Sequence, residues 1–138
     1  MRQVLIDTDL ISYFLKGYPN VVRAMDVYLA TYSSASISML TYYEIKHGLL
    51  FRDAHRQLSN FQHLVQTTDV LPLSISIVDM AAEIYATLRR QGKTIGHVDL
   101  LIGCTALESG IALATNNVRH FSHIPGLEVV NWTVGDIS

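Results

Sequence analysis

Short apolar runs alternate with helical segments along almost the entire chain of 138 residues. Apolar runs that end in polar residues are typical of buried strands, and their alternation with helices predicts a mainly parallel sheet covered by helices. Strands are predicted over residues 4–6, 35–37, 70–73, 111–114 and 127–130. The expected fold class is therefore α/β, in which ligands bind at the carboxyl ends of the strands.

The spacing of apolar residues and the capping signals predict helices between these strands. The predicted helices cover residues 8–16, 20–30, 39–50, 52–65, 75–91 and 98–108. Thr8 or Asp9 is expected to cap the first helix, Asn20 the second and Ser38 the third. Helix ends are expected at Gly17, Gly92 and Gly110. The segments GKTIGH and Asn116–Asn117 are expected in loops. Pro72 places the third strand or its end near an edge of the sheet.

Length and composition fit one folded domain over residues 1–138, since 49% of the residues are hydrophobic. The chain carries 10 basic and 12 acidic residues, for a net charge of -2. That balance argues against a protein that holds nucleic acid mainly through bulk charge. The first apolar run is too short for a signal peptide, and no run approaches a membrane span, so a cytoplasmic protein is expected.

The single cysteine, Cys104, lies in an apolar run. One cysteine cannot form an internal disulfide, so a reducing compartment is expected. A buried packing thiol is the preferred interpretation of Cys104 over a nucleophile.

Three dispersed acids fall at positions where this fold places functional groups. Asp7 directly follows the first predicted strand, Glu44 lies on the helix after the second, and Asp99 begins a helix that is otherwise apolar. Each acid also has a structural interpretation: Asp7 or Asp9 as a helix cap, Glu44 as a solvated residue, and Asp99 as a carboxylate stabilised by a helix N-terminus. A charge on a buried helix is nevertheless avoided unless it is paired or metal-bound.

A polar turn, Thr115-Asn116-Asn117, follows the fourth predicted strand. Asparagine favours turns, so a purely structural role is one interpretation. Together with the acids, however, the turn gives an oxygen-only donor set, which suits Mg²⁺ or Mn²⁺ better than zinc. Such ions orient water, lower its pKa and neutralise developing charge on a phosphodiester.

Three segments resemble PIN-domain proteins of the VapC type: VLIDTDLISYFLKG, TYYEIKHGLL and IGHVDLLIGCTALESGIALATNNVRHFSHIPGLEVVNW. VapC-type proteins are the toxin ribonucleases of type II toxin–antitoxin modules. The resemblance covers essentially the whole chain and implies a single PIN-like three-layer sandwich with a mainly parallel central sheet. It also implies an endoribonuclease that depends on Mg²⁺ or Mn²⁺.

The same resemblance implies roles for individual residues. Asp7 matches the first family acid, Glu44 the second and Asp99 the third, and these three are the expected metal ligands. The fourth position falls in the polar turn, with Asn117 preferred and Asn116 next. Many relatives have an acid there, whereas this chain has only uncharged amides, so one tightly held metal is expected. Thr8, Asp9, Thr115 and Asn116 are expected in supporting roles, and Asp9 stands where the family often has Asn.

Partners also follow from the resemblance. A small antitoxin that inserts a basic side chain into the acidic site, an RNA substrate that is expected to be transfer RNA, and a homodimer are implied. Tyr13, Phe14, Tyr18 and Tyr28 are candidate interface aromatics, although core positions are equally open. Candidate RNA-binding residues are Lys46, His47, Arg52, His97 and Arg119.

Two other functions remain open at this stage. One is a PIN-like module without a toxin role, which processes RNA or only binds a partner. The other is a phosphatase that uses the Asp7-Thr8-Asp9 motif as its nucleophile, although the expected lysine and paired acids are missing from the helix around Asp99.

Overall fold

The structure, a computed structural model, describes residues 1–135. Strands and helices alternate along that part of the chain as the sequence predicts. The strands are β1 (Val4–Ile6), β2 (Ala35–Ser38), β3 (Thr68–Leu71), β4 (Ala112–Ala114) and β5 (Val129–Val130). The helices are α1 (Thr8–Leu15), α2 (Pro19–Tyr32), α3 (Met39–Phe51), α4 (His55–Val65), α5 (Ile75–Arg90), α6 (His97–Ser109) and α7 (Val118–Phe121).

All strand pairings in residues 1–135 are parallel, which confirms the predicted sheet type. One ladder has the order β1-β4-β5 and the other pairs β2 with β3. The β1 and β2 strands contact each other and bring the two ladders side by side. In the first ladder, Ile6 lies opposite Ala114 and Ala114 opposite Val130, so the strands end at the same edge.

Hydrophobic side chains leave the sheet on both faces, because successive residues of a strand point to opposite sides. Val4 and Ile6 of β1 pack with helices α1 to α4, whereas Leu5 between them packs with α5, α6 and α7. Two separate cores therefore sandwich the sheet. This arrangement confirms the predicted three-layer α/β fold.

Two helices begin at positions other than those predicted. Helix α2 begins with Pro19 at its first turn, where a missing N–H costs little, and Asn20 donates its side-chain amide to the Thr133 carbonyl (2.8 Å) instead of capping the helix. Helix α4 begins at His55 rather than at residue 52. Asp53, with φ of 51°, interrupts the helical path between α3 and α4.

The third strand and the segment after the polar turn also differ from expectation. Strand β3 ends at Leu71, so Pro72, which has no N–H to donate, lies just beyond it. The four-residue helix α7 lies where only a loop was expected, and strand β5 is limited to Val129–Val130. Both changes come from contacts that local sequence patterns do not reveal.

The predicted helix boundaries at glycines are confirmed, since Gly17, Gly92 and Gly110 have positive φ angles. The predicted cap of α3 is also confirmed, because the Ser38 hydroxyl accepts the Leu40 N–H (3.1 Å). The N-cap of helix α1 is Asp7, as the structural interpretation of that acid allowed, and neither Thr8 nor Asp9 takes the position.

Helix α6 packs very closely against the segment that follows α7. A Cβ atom added at Gly103 would lie 2.5 Å from Ile124 Cδ1 and 3.3 Å from Leu127 Cδ2. Only a residue without a side chain allows this approach. The close packing fixes the position of α6 relative to α7.

Cys104 is fully buried, and burial raises the pKa of its thiol to about 11. A thiol with such a pKa is protonated at neutral pH and is a poor nucleophile, which supports the packing interpretation.

None of the helices within residues 1–135 combines the length and the apolar character needed to cross a membrane.

Candidate active site

The register of the sheet brings Asp7 and Thr115 together. Strands β1 and β4 end opposite each other, and the Asp7 N–H extends the ladder by donating to the Ala114 carbonyl (2.9 Å). The next residues along each strand are Asp7 and Thr115, both of which are buried. The Thr115 hydroxyl donates to Asp7 Oδ2 at 2.8 Å.

Thr115 also reaches a second carboxylate. Its hydroxyl lies 3.3 Å from Asp9 Oδ2, which in addition accepts the Asn116 N–H at 3.0 Å. The Asn117 N–H donates back to the Thr115 hydroxyl oxygen (3.0 Å). A threonine carries one hydroxyl proton, so Thr115 bonds one carboxylate at a time and both acids depend on it. This geometry gives Asp9 a partner outside α1, which goes beyond the capping role that the sequence favoured.

Thr8 links Asp7 to Glu44 across two helices. The Thr8 N–H donates to Asp7 Oδ1 (2.8 Å), and its hydroxyl donates to Glu44 Oε1 (2.7 Å). The hydroxyl of Thr41, which is fully buried, lies 3.0 Å from that of Thr8. On helix α3, Thr41 and Glu44 are one turn apart and face α1. The sequence placed Glu44 at this edge but gave no sign of the Thr41 contact.

Burial and neighbouring charge both act on the aspartates. The pKa of Asp7 is raised from 3.8 to about 7, chiefly by burial and then by the charges of Asp9 and Asp99, while bonds from Thr115 and Thr8 limit the shift. The pKa of Asp9 is also raised, chiefly by burial, with Asp99 adding to the effect. A cation bound beside these carboxylates would favour the ionised form of both.

Asp99 lies in the first turn of α6, as predicted, and its carboxylate meets a histidine. His120 Nε2 on α7 is 3.0 Å from Asp99 Oδ2. That nitrogen is buried, and it makes no hydrogen bond of acceptable geometry within residues 1–135. The sequence reasoning missed His120, because the residue lies in a segment expected to be a loop.

The two asparagines of the polar turn contribute differently. Asn116 Oδ1 accepts from the Asn131 side chain (3.3 Å) and from the Thr133 hydroxyl (3.0 Å), so its side chain is directed to the chain after β5. Asn117 has an exposed side chain and joins the site through its backbone N–H. Among the hydrogen bonds of residues 1–135, none joins either side-chain amide to Asp7, Glu44 or Asp99.

Of the candidate RNA-binding residues, Arg52 lines a cleft together with the acid Glu44. The cleft runs between α1 and α3 and is lined by residues that include Thr8, Glu44, Arg52 and Gln57. The others lie elsewhere: Lys46 contacts Tyr42, His47 packs on Tyr43, His97 packs on Tyr85, and Arg119 is exposed.

The candidate interface aromatics separate into two groups. Tyr28 is fully buried and bonds to the Val4 backbone, so its proposed place at an interface is wrong. Tyr13 and Tyr18 stack with ring centroids 4.6 Å apart, and Tyr18 is 46% exposed. Phe14 lines an apolar groove between α1, α2 and α4 together with Val22 and Leu64.

The donor chemistry of the site fits a divalent cation, although the side chains are not already gathered around one. Within residues 1–135, no three Asp, Glu, His or Cys side chains are close enough to hold a metal ion jointly. Glu44 is bonded to Thr8, and Asp99 lies against His120. Burial and the repulsion from Asp9 and Asp99 raise the pKa of Asp7, and a cation at the site would favour its charged form and give the unbonded nitrogen of His120 a partner. Asp7, Glu44 and Asp99 are the candidate ligands.

Comparison with known proteins places this site in a family. The family model described as PIN domain matches residues 4–127, which contain every acid of the site. Two curated relatives match nearly the full chain. Ribonuclease VapC1 of Haemophilus influenzae is 29% identical over 130 residues, which cover 94% of this chain and 97% of that protein. The tRNA(fMet)-specific endonuclease VapC of Shigella flexneri is 28% identical over 134 residues, covering 96% and 100%.

A solved structure shows the same fold. The DNA-bound VapBC complex from Salmonella typhimurium contains a chain that superposes with a TM-score of 0.84 and 26% sequence identity. The match covers 96% of this chain and 99% of that chain, so no large element is unmatched on either side.

Proposed function

The chain belongs to the PIN-domain family, and from this we propose that it is a metal-dependent endoribonuclease that acts as the toxin of a type II toxin–antitoxin module. Its reaction is the hydrolysis of RNA phosphodiester bonds. Relatives that match nearly the whole chain are named ribonuclease or endonuclease, which supports this activity. The proposal treats residues 1–138 as one PIN-like domain.

One observation carries the proposal: four acids, Asp7, Asp9, Glu44 and Asp99, are connected by hydrogen bonds or by charge at the carboxyl edge of a parallel sheet. Thr8 joins Asp7 to Glu44, Thr115 joins Asp7 to Asp9, and the charge of Asp99 reaches Asp7. A group of acids around the buried Asp7 destabilises the fold unless it has a use, because each ionised carboxylate disfavours the others. Acids gathered at a ligand-binding edge are therefore a functional signal.

A divalent cation gives this arrangement its chemistry. Asp7, Glu44 and Asp99 would hold it, and Mg²⁺ is the proposed ion, with Mn²⁺ as the alternative. When bound, the ion lowers the pKa of a water molecule and neutralises charge that develops on the phosphate. Thr8 and Thr115 orient the Asp7 carboxylate, and Asp9 accepts from the turn that closes the site. The Asn117 side chain is proposed as a weaker, uncharged contact at the same edge.

Substrate binding is assigned mainly to the cleft between α1 and α3. Arg52 at this cleft is proposed to contact a phosphate of the RNA, since it shares the cleft with Glu44. Lys46, His47, His97 and Arg119 are proposed as outer contacts. Transfer RNA is the proposed substrate class, supported by the name of the Shigella flexneri relative.

The partner is proposed to be a small antitoxin, as the VapBC complex from Salmonella typhimurium suggests. The apolar groove that Phe14, Val22 and Leu64 line offers such a partner a docking place on α1, α2 and α4. A homodimer is proposed as well, supported by a second apolar groove between α5 and α6 that contains Val78 and Leu101. A cytoplasmic location agrees with an RNA substrate.

The activity is tested by incubating the purified chain with transfer RNA and with total RNA, and mapping the cleaved ends. Cleavage that EDTA stops and Mg²⁺ or Mn²⁺ restores is expected. The Asp7→Asn/Asp99→Asn double variant should be inactive, whereas Asp26→Asn, which removes an exposed acid of α2, should retain full activity. Cleavage that is indifferent to EDTA, or that persists in the double variant, would refute the metal-dependent reaction.

A further inference from the structure

His120 is the one group at the acidic edge whose chemistry the proposed reaction leaves unused. Its ring lies edge-on to Phe121, with centroids 5.6 Å apart, and its Nε2 atom lies 3.0 Å from Asp99 Oδ2. The short distance is not a hydrogen bond, because the carboxylate lies outside the direction in which a ring N–H donates. A buried nitrogen and an acid therefore face each other without bonding.

This arrangement is unfavourable unless something else joins the two groups. Buried polar atoms are nearly always bonded, and leaving one without a partner destabilises the fold. The side chain of His120 is 28% exposed and that of Asp99 is 39% exposed, so the pair lies close to solvent although the Nε2 atom itself is covered. Asp7 and Asp9 add negative charge nearby, which favours a cation over an anion or a neutral molecule.

We propose that His120 Nε2 and the Asp99 carboxylate bind the same divalent cation, which gives the metal site one nitrogen ligand among its oxygen ligands. The inference rests on the proposed function, since it assigns a further ligand to the metal of that reaction. Imidazole is a common ligand of transition metals, whereas Mg²⁺ prefers oxygen and keeps much of its water. The nitrogen ligand therefore shifts the preference of the site from Mg²⁺ toward Mn²⁺.

The distance between His120 and Asp99 is compatible with this role. Two atoms that bind one metal ion at about 2.1 Å each lie roughly 3 Å apart when the ligands are adjacent around the ion. The observed separation of 3.0 Å needs no large movement of α6 against α7. Gly103 permits this spacing, because it lets the two elements pack closely.

The experiment uses the full purified chain and Mn²⁺ as the probe. Pulsed electron paramagnetic resonance detects a ¹⁴N nucleus bound directly to Mn²⁺, and titration calorimetry measures affinity for Mn²⁺ and Mg²⁺. The wild-type chain should show the ¹⁴N coupling, and His120→Gln should abolish it. The same variant should weaken Mn²⁺ binding at least about tenfold and Mg²⁺ binding much less.

Two further variants separate ligation from folding. His123→Gln changes a histidine three residues away and should leave both the ¹⁴N coupling and the affinities unchanged. His120→Glu replaces the nitrogen ligand with an oxygen ligand. This variant should bind Mg²⁺ at least as tightly as the wild type and show no ¹⁴N coupling. Circular dichroism and thermal unfolding confirm that each variant is folded.

The outcomes distinguish this inference from the function on which it rests. Mn²⁺ that binds without a ¹⁴N coupling, or a coupling that persists in His120→Gln, overturns the role of His120 and leaves a metal-dependent reaction standing. A wild-type chain that binds neither Mn²⁺ nor Mg²⁺ overturns both. A ¹⁴N coupling that only the His120 variants lose establishes the ligand.

Discussion

The acidic edge has two halves that differ in how completely their polar atoms are bonded. In the β1–β4 half, Asp7 and Asp9 share Thr115, and Asp7 connects through Thr8 to Glu44. In the α6–α7 half, Asp99 meets His120 without a hydrogen bond. In the first half Asp7 and Thr115 are buried and the acids are held in place by hydrogen bonds, whereas the Asp99 side chain of the second half is 39% exposed.

One site therefore combines side chains that are oriented before a cation binds with side chains that gain a partner only when it binds. The β1–β4 half is oriented in advance, at the expense of keeping two acids in a buried place where their charges disfavour each other. In the α6–α7 half, the proposed ligands His120 and Asp99 become bonded only when a cation binds between them. Substitutions can test whether the halves really behave so differently.

The largest expected effect is on catalysis, where the halves should behave alike. Asp7→Asn and Asp99→Asn should each lower the rate of RNA cleavage by about a thousandfold or more, because both acids are proposed to hold the same ion. The double variant should be no worse than either single variant by more than about tenfold. Rates are measured on one transfer RNA, and a single variant that retains most of its activity would remove that acid from the metal site.

Stability should separate the two halves. The pKa of Asp7 is about 7 in the folded chain and near 3.8 when unfolded, so the folded state binds an extra proton between these pH values. The free energy of unfolding therefore falls as pH rises from about 4 to 7. Without metal, Asp7→Asn should be stabilised at pH 8 by roughly 2 to 4 kcal/mol relative to the wild type, and much less at pH 4.

The contrast for this prediction comes from the other half. Asp99→Asn alters a carboxylate that is 39% exposed, so its effect on stability should stay within about 0.5 kcal/mol. Urea unfolding at pH 4 and pH 8 with EDTA measures both variants. An equal pH dependence of the free energy of unfolding in the wild type and Asp7→Asn would contradict the proposed cost of ionising Asp7 in the β1–β4 half.

Removing the shared hydroxyl should weaken the β1–β4 half alone. Thr115→Val removes one donor that the two aspartates share and leaves the Asn117 N–H without its acceptor, while the Thr8 and Asn116 N–H bonds remain, so the fold should lose about 1–3 kcal/mol. Cleavage should fall about 10- to 100-fold. Thr105→Val is the matched control, because that hydroxyl bonds only within α6; an equal loss in both variants would refute the bridging role.

The smallest expected effect concerns the polar turn. Asn117→Ala removes an exposed side chain that makes no hydrogen bond to the three acids, so Mn²⁺ affinity should fall by about threefold or less, which is under 1 kcal/mol. Calorimetry measures this change beside that of His120→Gln. A loss as large as that of His120→Gln would make Asn117 the stronger contact.

The sequence predicted the β1–β4 half better than the α6–α7 half for a physical reason. Asp7 and Thr115 follow strands, and parallel strands that pair in register must end together, so their contact follows from local patterns. His120 lies on α7, a four-residue helix whose position depends on packing against α6. No periodicity in the sequence indicates such a contact, and His120 was not recognised because its segment was expected to be a loop.

Among the acids themselves, the sequence located the residues but not their partners. The positions of Asp7, Glu44 and Asp99 after strands or early in helices were sufficient to bring them to one edge. The bond from Thr8 to Glu44 joins residues 36 positions apart and depends on how α1 lies on α3. Hydrogen-bond partners of this kind require the tertiary structure.

The missing side chain at Gly103 also matters for handling the protein in a living cell. Gly103 lies one helical turn after Asp99, and a methyl group there would meet Ile124 and Leu127. Gly103→Ala would force the Ile124 side chain after α7 to move, because the added methyl would lie 2.5 Å from its Cδ1 atom, without altering any acid. A substitution at this interior position could thus lower the activity of a toxic chain while keeping its acids. Clones whose wild-type product is too harmful to propagate could then be carried as the less active variant.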